Sequence, residues 1–149
     1  MKAHENILVF YNKLPKYNPQ KTFGHKRKVV KSENRASCIE KRNNTDNIYN
    51  NEYSEKVLDY DSTERFPISV QVFSSDKQKM KLLNKTQKPE ALLEYIIKTY
   101  TDEEDIVLDP CAGSFTTPVV CKKLNRKWIA IENDEQQFDN GLKRLENGK

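Results

Sequence analysis

Residues 106–132 read IVLDPCAGSFTTPVVCKKLNRKWIAIE. Ile106, Val107 and Leu108 are apolar β-formers that stop at Asp109-Pro110; Ala112, Gly113 and Ser114 make a small-residue turn, and a helical pattern follows. Pro118 is tolerable only in the first turn of a helix, because it has no N–H and its ring clashes with the turn before it. The spacing therefore predicts a helix that starts near Thr116 or Thr117. A second apolar run, Trp128 to Ile131, closes on Glu132, which completes one β-α-β unit with an acid at the tip of its second strand.

A unit of this kind suits a nucleoside. Gly113 lets the backbone approach a ligand or take a positive φ, and the N–H groups at the start of the following helix suit an anionic group. Glu132 is a pure acceptor when ionised and can take hydrogen bonds from both hydroxyls of a ribose. A dinucleotide fingerprint wants three glycines so that a pyrophosphate can lie on the turn; here Gly113 stands alone, with Phe115 two places on. A P-loop is disfavoured because no Gly-Lys-Ser or Gly-Lys-Thr follows. A nucleoside without phosphates, such as S-adenosylmethionine, remains, with its carboxylate at the helix start and its ribose on Glu132. The same residues also suit an ordinary α/β turn whose strand-end acid is simply solvated.

At 149 residues, with 36% hydrophobic and 32% charged, the chain is at most one ordinary domain with a thin supply of core. The net charge of +4 permits a polyanionic partner without requiring one. Cys38, Cys111 and Cys121 have no metal-ligand spacing, so reduced thiols and no metal site are expected. No apolar run reaches the ~20 residues of a membrane span, and the first residues lack the apolar core of a signal peptide. A cytoplasmic protein without a membrane partner is expected.

Ahead of the β-α-β unit, Ile7 to Tyr11 is an unbroken apolar run that predicts a strand buried on both faces, ended by Pro15 and Pro19. The segment KTFGHKRKVVK, from Lys21 to Lys31, is basic and reads either as a solvated loop or as a phosphate-contacting segment through Lys26, Arg27 and Lys28. Tyr49, Tyr53 and Tyr60 are candidates for base stacking or for plain loop packing. Ile68, Val70 and Val72 alternate with Ser69, Gln71 and Phe73, which predicts a half-buried strand. Pro89 opens a helix whose Leu92, Leu93, Ile96, Ile97 and Tyr100 share one face. After Glu132, Asn133 with Gln136 forms a capping pair for a closing helix striped by Phe138, Leu142 and Leu145.

Three stretches, Thr86-Gln87-Lys88-Pro89 with ALLEYIIKTYT, then VLDPCAGSFTT, then NRKWIAIEND, resemble the C-terminal half of the DNA amino-methyltransferases of the permuted order, in which the catalytic motif precedes the cofactor motifs. HENILVFY and RFPISVQVF resemble further strands of that family. The resemblance implies part of a doubly wound, Rossmann-like α/β sheet. It implies a late strand in residues 1–20, an irregular target-recognition segment in 21–63 and a cofactor-binding part in 64–149. It also implies an S-adenosylmethionine pocket lined by Asp109, Pro110, Ala112, Gly113 and Ser114, with Glu132 on the ribose and Thr86, Gln87 and Lys88 near the methionine end. Two positions depart from the pattern: Asn84-Lys85 stand where the family usually has His-Pro, and Phe115 stands where it often has Gly.

The family's catalytic tetrad, Asp- or Asn-Pro-Pro-aromatic, is absent, for the sequence has no Pro-Pro and its only Asp-Pro is Asp109-Pro110. No catalytic residue is therefore expected, and the chain reads as an enzyme cut before its late strands, with uncovered apolar surface. The expected function is methyl transfer from S-adenosylmethionine to an exocyclic amino group of DNA, in restriction-modification, completed by an upstream methyltransferase fragment. The alternatives are a non-catalytic DNA-binding remnant, or a subunit that needs a partner chain, and a binding module for another nucleotide. An RNA or small-molecule methyltransferase is a fallback.

Overall fold

The structure is a computed structural model and describes residues 5–31, 60–76 and 87–147. Its contacts divide into two units, residues 1–20 with 68–149, and residues 21–67. In the 21–67 unit, strand β1 (Lys28–Val30) pairs antiparallel with β2 (Tyr60–Ser62), Lys28 opposite Ser62 and Val30 opposite Tyr60. Backbone hydrogen bonds between Thr22 and Arg65, 2.9 and 3.0 Å, extend the pairing.

The other unit follows the order α1 (Glu90–Tyr100), β3 (Ile106–Asp109), α2 (Thr116–Lys123), β4 (Lys127–Ala130) and α3 (Glu135–Asn147). Parallel neighbours need a crossover, and α2 supplies it: β3 and β4 are parallel, with Val107 opposite Trp128 and Asp109 opposite Ala130. The pairing runs on past both strands, Ile131 N–H donating to the Asp109 carbonyl and Ala112 N–H to the Ile131 carbonyl, each at 2.9 Å. One face of this pair points Val107 and Trp128 at a core of Ile97, Val120 and Cys121, joined by Leu93 and Leu124. The alternate residues Ile106, Leu108 and Ile129 are 52–64% exposed, the uncovered apolar surface that the sequence leads one to expect. No described helix is long and apolar enough to cross a membrane.

The helix boundaries have local causes. Pro89, at φ −59°, precedes the first turn of α1, and Glu90 N–H donates to the Asp76 carboxylate at 2.9 Å, which caps that end. The helix stops where Thr101 turns both its N–H and its hydroxyl onto the Ile97 carbonyl. Helix α2 begins at Thr116, within the expected range, with Pro118 third in line. Helix α3 begins one residue later than expected. Asp134, not Asn133, is its cap, accepting from Gln137 N–H at 2.8 Å, while the N–H groups of both residues donate to the Glu132 carboxylate at 3.0 Å.

Two expected strands do not form. Ile7 to Tyr11 is 44–86% exposed and pairs with no described strand. Ile68, Val70 and Val72 are 68–90% exposed, and it is Phe73, on the opposite alternation, that packs, its ring 5.6 Å from Tyr95. An apolar run becomes a strand only when a neighbour satisfies its backbone groups, and the described residues offer these runs none. Tyr49 and Tyr53 lie outside the described residues.

Phe115 departs from ordinary backbone geometry. It sits in the left-handed region at φ 56°, ψ 31°, which for a residue with a Cβ costs about 1–2 kcal/mol. Its ring is 1% exposed and meets the edge of Phe138 at 5.5 Å. Full burial of such a side chain contributes about 1.5–3 kcal/mol, enough to offset the strain. The ring fits only because α3 has a glycine beneath it, since a Cβ on Gly141 would lie 2.3 Å from the ring. Gly→Ala inside a helix ordinarily stabilises by up to about 1 kcal/mol, whereas overpacking costs about 1–3 kcal/mol. Gly141→Ala is therefore expected to lower the melting temperature of the unaltered chain and to raise it when Phe115→Gly is also present; thermal melts of the three variants measure that reversal.

Candidate functional site

Because β3 and β4 run parallel, their C-terminal ends emerge side by side, and the turn after one faces the acid after the other. Between them lies a cavity of about 450 Å³, within the range of small-molecule sites, about 300–1,000 Å³. Of the residues expected from sequence, Gln87, Lys88, Asp109, Ala112, Gly113, Ser114 and Glu132 line it. Pro110 is exposed and does not form part of the wall, and Thr86 lies outside the described residues. Leu93, Cys111, Thr116, Thr117 and Gln137 complete the lining. The capping pair expected from sequence was Asn133 with Gln136, not Gln137, and nothing in the sequence singled out Gln137, Thr117 or Cys111 as part of a site.

Glu132 dominates the polar chemistry of the cavity. Its Oε2 accepts from Gly113 N–H at 2.7 Å, while Oε1 accepts from Asn133 N–H and Asp134 N–H, both at 3.0 Å. The Asp134 and Gly113 N–H groups in particular hold its carboxyl below the usual range. A carboxylate offers about four acceptor positions, so a ligand hydroxyl still finds capacity on it. Asp109 shapes the turn: Oδ1 accepts from Cys111 N–H at 3.1 Å and Oδ2 from the Thr117 hydroxyl at 2.6 Å, which ties the end of β3 to the first turn of α2. Lys88 stands on the opposite wall, paired with Glu5 at 2.7 Å in an exposed contact that a ligand anion can exchange for.

At the start of α2, Gly113 N–H is taken by Glu132, Ser114 to Pro118 are buried, and Pro118 has no N–H to give. The anomalous Phe115, in contrast, does not obstruct the cavity. Its ring points away from the lining, into α3. Of the cysteines, Cys111 is exposed at the wall, while Cys121 is fully buried and burial pushes its thiol up to about 11, the behaviour of an inert core residue.

In the 21–67 unit, the basic segment is partly neutralised. Arg27 donates to Asp61 through Nε at 2.7 Å and through a second nitrogen, and this pairing holds the Asp61 carboxyl low. Lys21 pairs with Glu64 at 2.9 Å. Lys26 and Lys28 are exposed and make no ion pair among the described residues.

A parallel β-α-β unit whose strand ends bring a single-glycine turn against a carboxylate has a geometry that suits a nucleoside, without a phosphate cradle. A family model described as DNA methylase, the N6 and N4 methyltransferases, matches residues 1–143, and the chain belongs to that family. It is 49% identical over 63 residues to type II methyltransferase M2.LlaDCHI of Lactococcus lactis subsp. cremoris, covering 42% of this chain and 23% of that protein. It is 52% identical over 61 residues to DNA adenine methyltransferase YhdJ of Escherichia coli K12, covering 41% of this chain and 21% of that protein. The chain thus spans about a fifth to a quarter of these relatives. The solved complex of M1.HpyAVI with S-adenosylmethionine shares 50% identity across 40% of this chain and 29% of that one, at a TM-score of 0.40.

The low carboxyl of Glu132 has a consequence for stability. Because folding depresses it, its contribution is complete above its ordinary value near 4.5 and disappears as the pH falls through the lower folded value. The difference in melting temperature between the unaltered chain and Glu132→Gln should be largest above pH 5 and should shrink on acidification toward pH 3; a difference that stays constant across that range would contradict the assignment.

Proposed function

We propose that this chain is the cofactor-binding part of a DNA methyltransferase, and that its cavity holds S-adenosylmethionine. The observation that carries the reading is the Gly113–Glu132 contact at the mouth of a 450 Å³ cavity in a chain of this family. Glu132 accepts from a ribose hydroxyl through the position left on Oε2; Asp109, Ala112, Gly113 and Ser114 form the wall beside it; Gln87 and Lys88, with Thr86, meet the methionine end, where the Lys88 ammonium replaces Glu5 by the ligand carboxylate. When bound, the cofactor supplies an electrophilic methyl group. The acceptor is an exocyclic amino group of adenine or cytosine in DNA, and the setting is restriction-modification in the cytoplasm.

The sequence has no Pro-Pro tetrad to accept the hydrogen bonds of a target amino group, so the chain alone transfers no methyl group. An upstream methyltransferase fragment carrying that motif is the proposed partner. Residues 21–63 would form the part that meets DNA, through Lys26, Arg27 and Lys28.

Calorimetric titration with S-adenosylmethionine is the test. Saturable binding is expected, weakened at least tenfold by Glu132→Ala in a chain that still melts cooperatively; a folded chain that takes up no cofactor would leave ancestry alone as the meaning of the family match. Methylation of DNA by the purified chain would overturn the division of labour.

A second reading, a non-catalytic DNA-binding remnant, is favoured by the exposed Lys26 and Lys28. In that case Asp61 restrains Arg27, and Asp61→Asn should tighten DNA binding and steepen the slope of log affinity against log salt by about 0.9, the amount for one further phosphate contact. Fluorescence anisotropy at several salt concentrations reads both effects; unchanged affinity and slope would remove Arg27 from the interface.

A further inference from the structure

Arg144 lies on α3 and does not line the cavity, yet its side chain is only 7% exposed. A buried guanidinium is tolerated only when its donors are matched, and here the matching groups come from two segments that each carry lining residues of the cavity. Nη1 donates to the Ser114 carbonyl, in the turn after β3, at 2.8 Å and to the hydroxyl of Thr116, the first residue of α2, at 3.0 Å. Nη2 donates to Glu90 Oε1 at 2.7 Å. Glu90 is the first residue of α1 and follows Gln87, Lys88 and Pro89 directly, so it fixes where the opposite wall begins.

Glu90 is itself held in place. Its N–H donates to Asp76 at 2.9 Å and its other carboxylate oxygen pairs with Lys123. Half-burial raises its carboxyl, but the hydrogen bonds from Lys123 and Arg144 outweigh that and leave it low, so it stays charged toward Arg144 at neutral pH. The Ser114 hydroxyl adds a contact to Thr116 at 3.1 Å inside the same cluster. The turn on one side and the start of α1 on the other are joined through one planar cation.

We propose that Arg144 is a positioning residue that braces the two walls of the cofactor cavity, setting the separation between the Gly113–Glu132 end and the Gln87–Lys88 end. This rests on the reading of the cavity as an S-adenosylmethionine site. The brace needs arginine, because the fork presents separate nitrogens to acceptors on different segments, whereas the single ammonium of lysine is one point. A ligand that uses both walls depends on the brace, and a ligand that uses one does not.

The test compares S-adenosylmethionine with 5′-methylthioadenosine, which keeps the nucleoside and lacks the amino-acid end, on the full chain, Arg144→Lys and Arg144→Met. The unaltered chain must first bind S-adenosylmethionine; if it does not, the functional reading fails and this inference with it. Given that binding, Arg144→Met is expected to weaken S-adenosylmethionine at least tenfold and methylthioadenosine less than threefold, and Arg144→Lys to restore little of the loss. Equal losses for both ligands would mark a general structural role, and full recovery in Arg144→Lys would mean that charge alone suffices; either result overturns the brace. Should Arg144→Met show no cooperative melt, Glu90→Gln, which keeps the shape and removes the charge opposite Nη2, is read by the same ratio and the same limits.

Discussion

The parallel pairing of β3 with β4 is the constraint on which the site depends. Parallel register puts both C-terminal ends at one edge, and here the ladder continues through Ile131 and Ala112 beyond the strands proper. That extension fixes the backbone of the turn before any side chain acts. It leaves Gly113 N–H facing the Glu132 carboxylate at 2.7 Å. A one-residue slip of either strand would turn its own core residue, Val107 or Trp128, out of the core and shift the acid relative to the turn. The core beneath, Ile97, Val120 and Cys121, is small, so the hydrogen-bonded ladder and the apolar face must agree for the cavity to exist.

The central unit was legible because its signals are local. A run of β-formers ending at Asp-Pro, one glycine and a proline confined to a first turn each restrict the backbone within a few residues, and they place the start of α2 at Thr116 or Thr117, where it begins. The strands expected at Ile7–Tyr11 and Ile68–Val72 were not legible in the same sense, since an apolar run states only that burial would be favourable and not what would cover it. The shift of the α3 cap from Asn133 to Asp134 has a similar origin: both residue types cap well, and no local signal separates them, whereas in the structure it is Asp134 that accepts from Gln137 N–H. Arg144 stands in the last turn of α3, where a basic residue suits the helix dipole. Its actual partners, 28 to 54 residues away, are a product of tertiary packing that no period in the sequence announces.

Phe115 shows how local and tertiary energies trade. On sequence grounds it is a misfit where the family often has glycine, and its backbone angles are indeed those a glycine adopts without strain. The side chain compensates by burying itself against Phe138 and in the space left by Gly141. The glycine needed at this turn has in effect been moved to α3, where it admits a ring instead of relieving a backbone. The turn keeps its shape, and the cavity stays clear.

The same geometry explains why one glycine suffices. A pyrophosphate site needs several backbone N–H groups aimed outward at the anion. Here the Gly113 N–H points at a carboxylate of the protein itself, and the neighbouring helix start is buried. A phosphate brought to this turn would meet Glu132, a like charge already holding the donor it requires, and repulsion would oppose it. A ribose meets the reverse situation, because its hydroxyls are donors and the carboxylate has acceptor capacity left. The arrangement favours a neutral, hydroxyl-bearing group over an anion beside this turn, and that preference follows from where a single acid stands after β4.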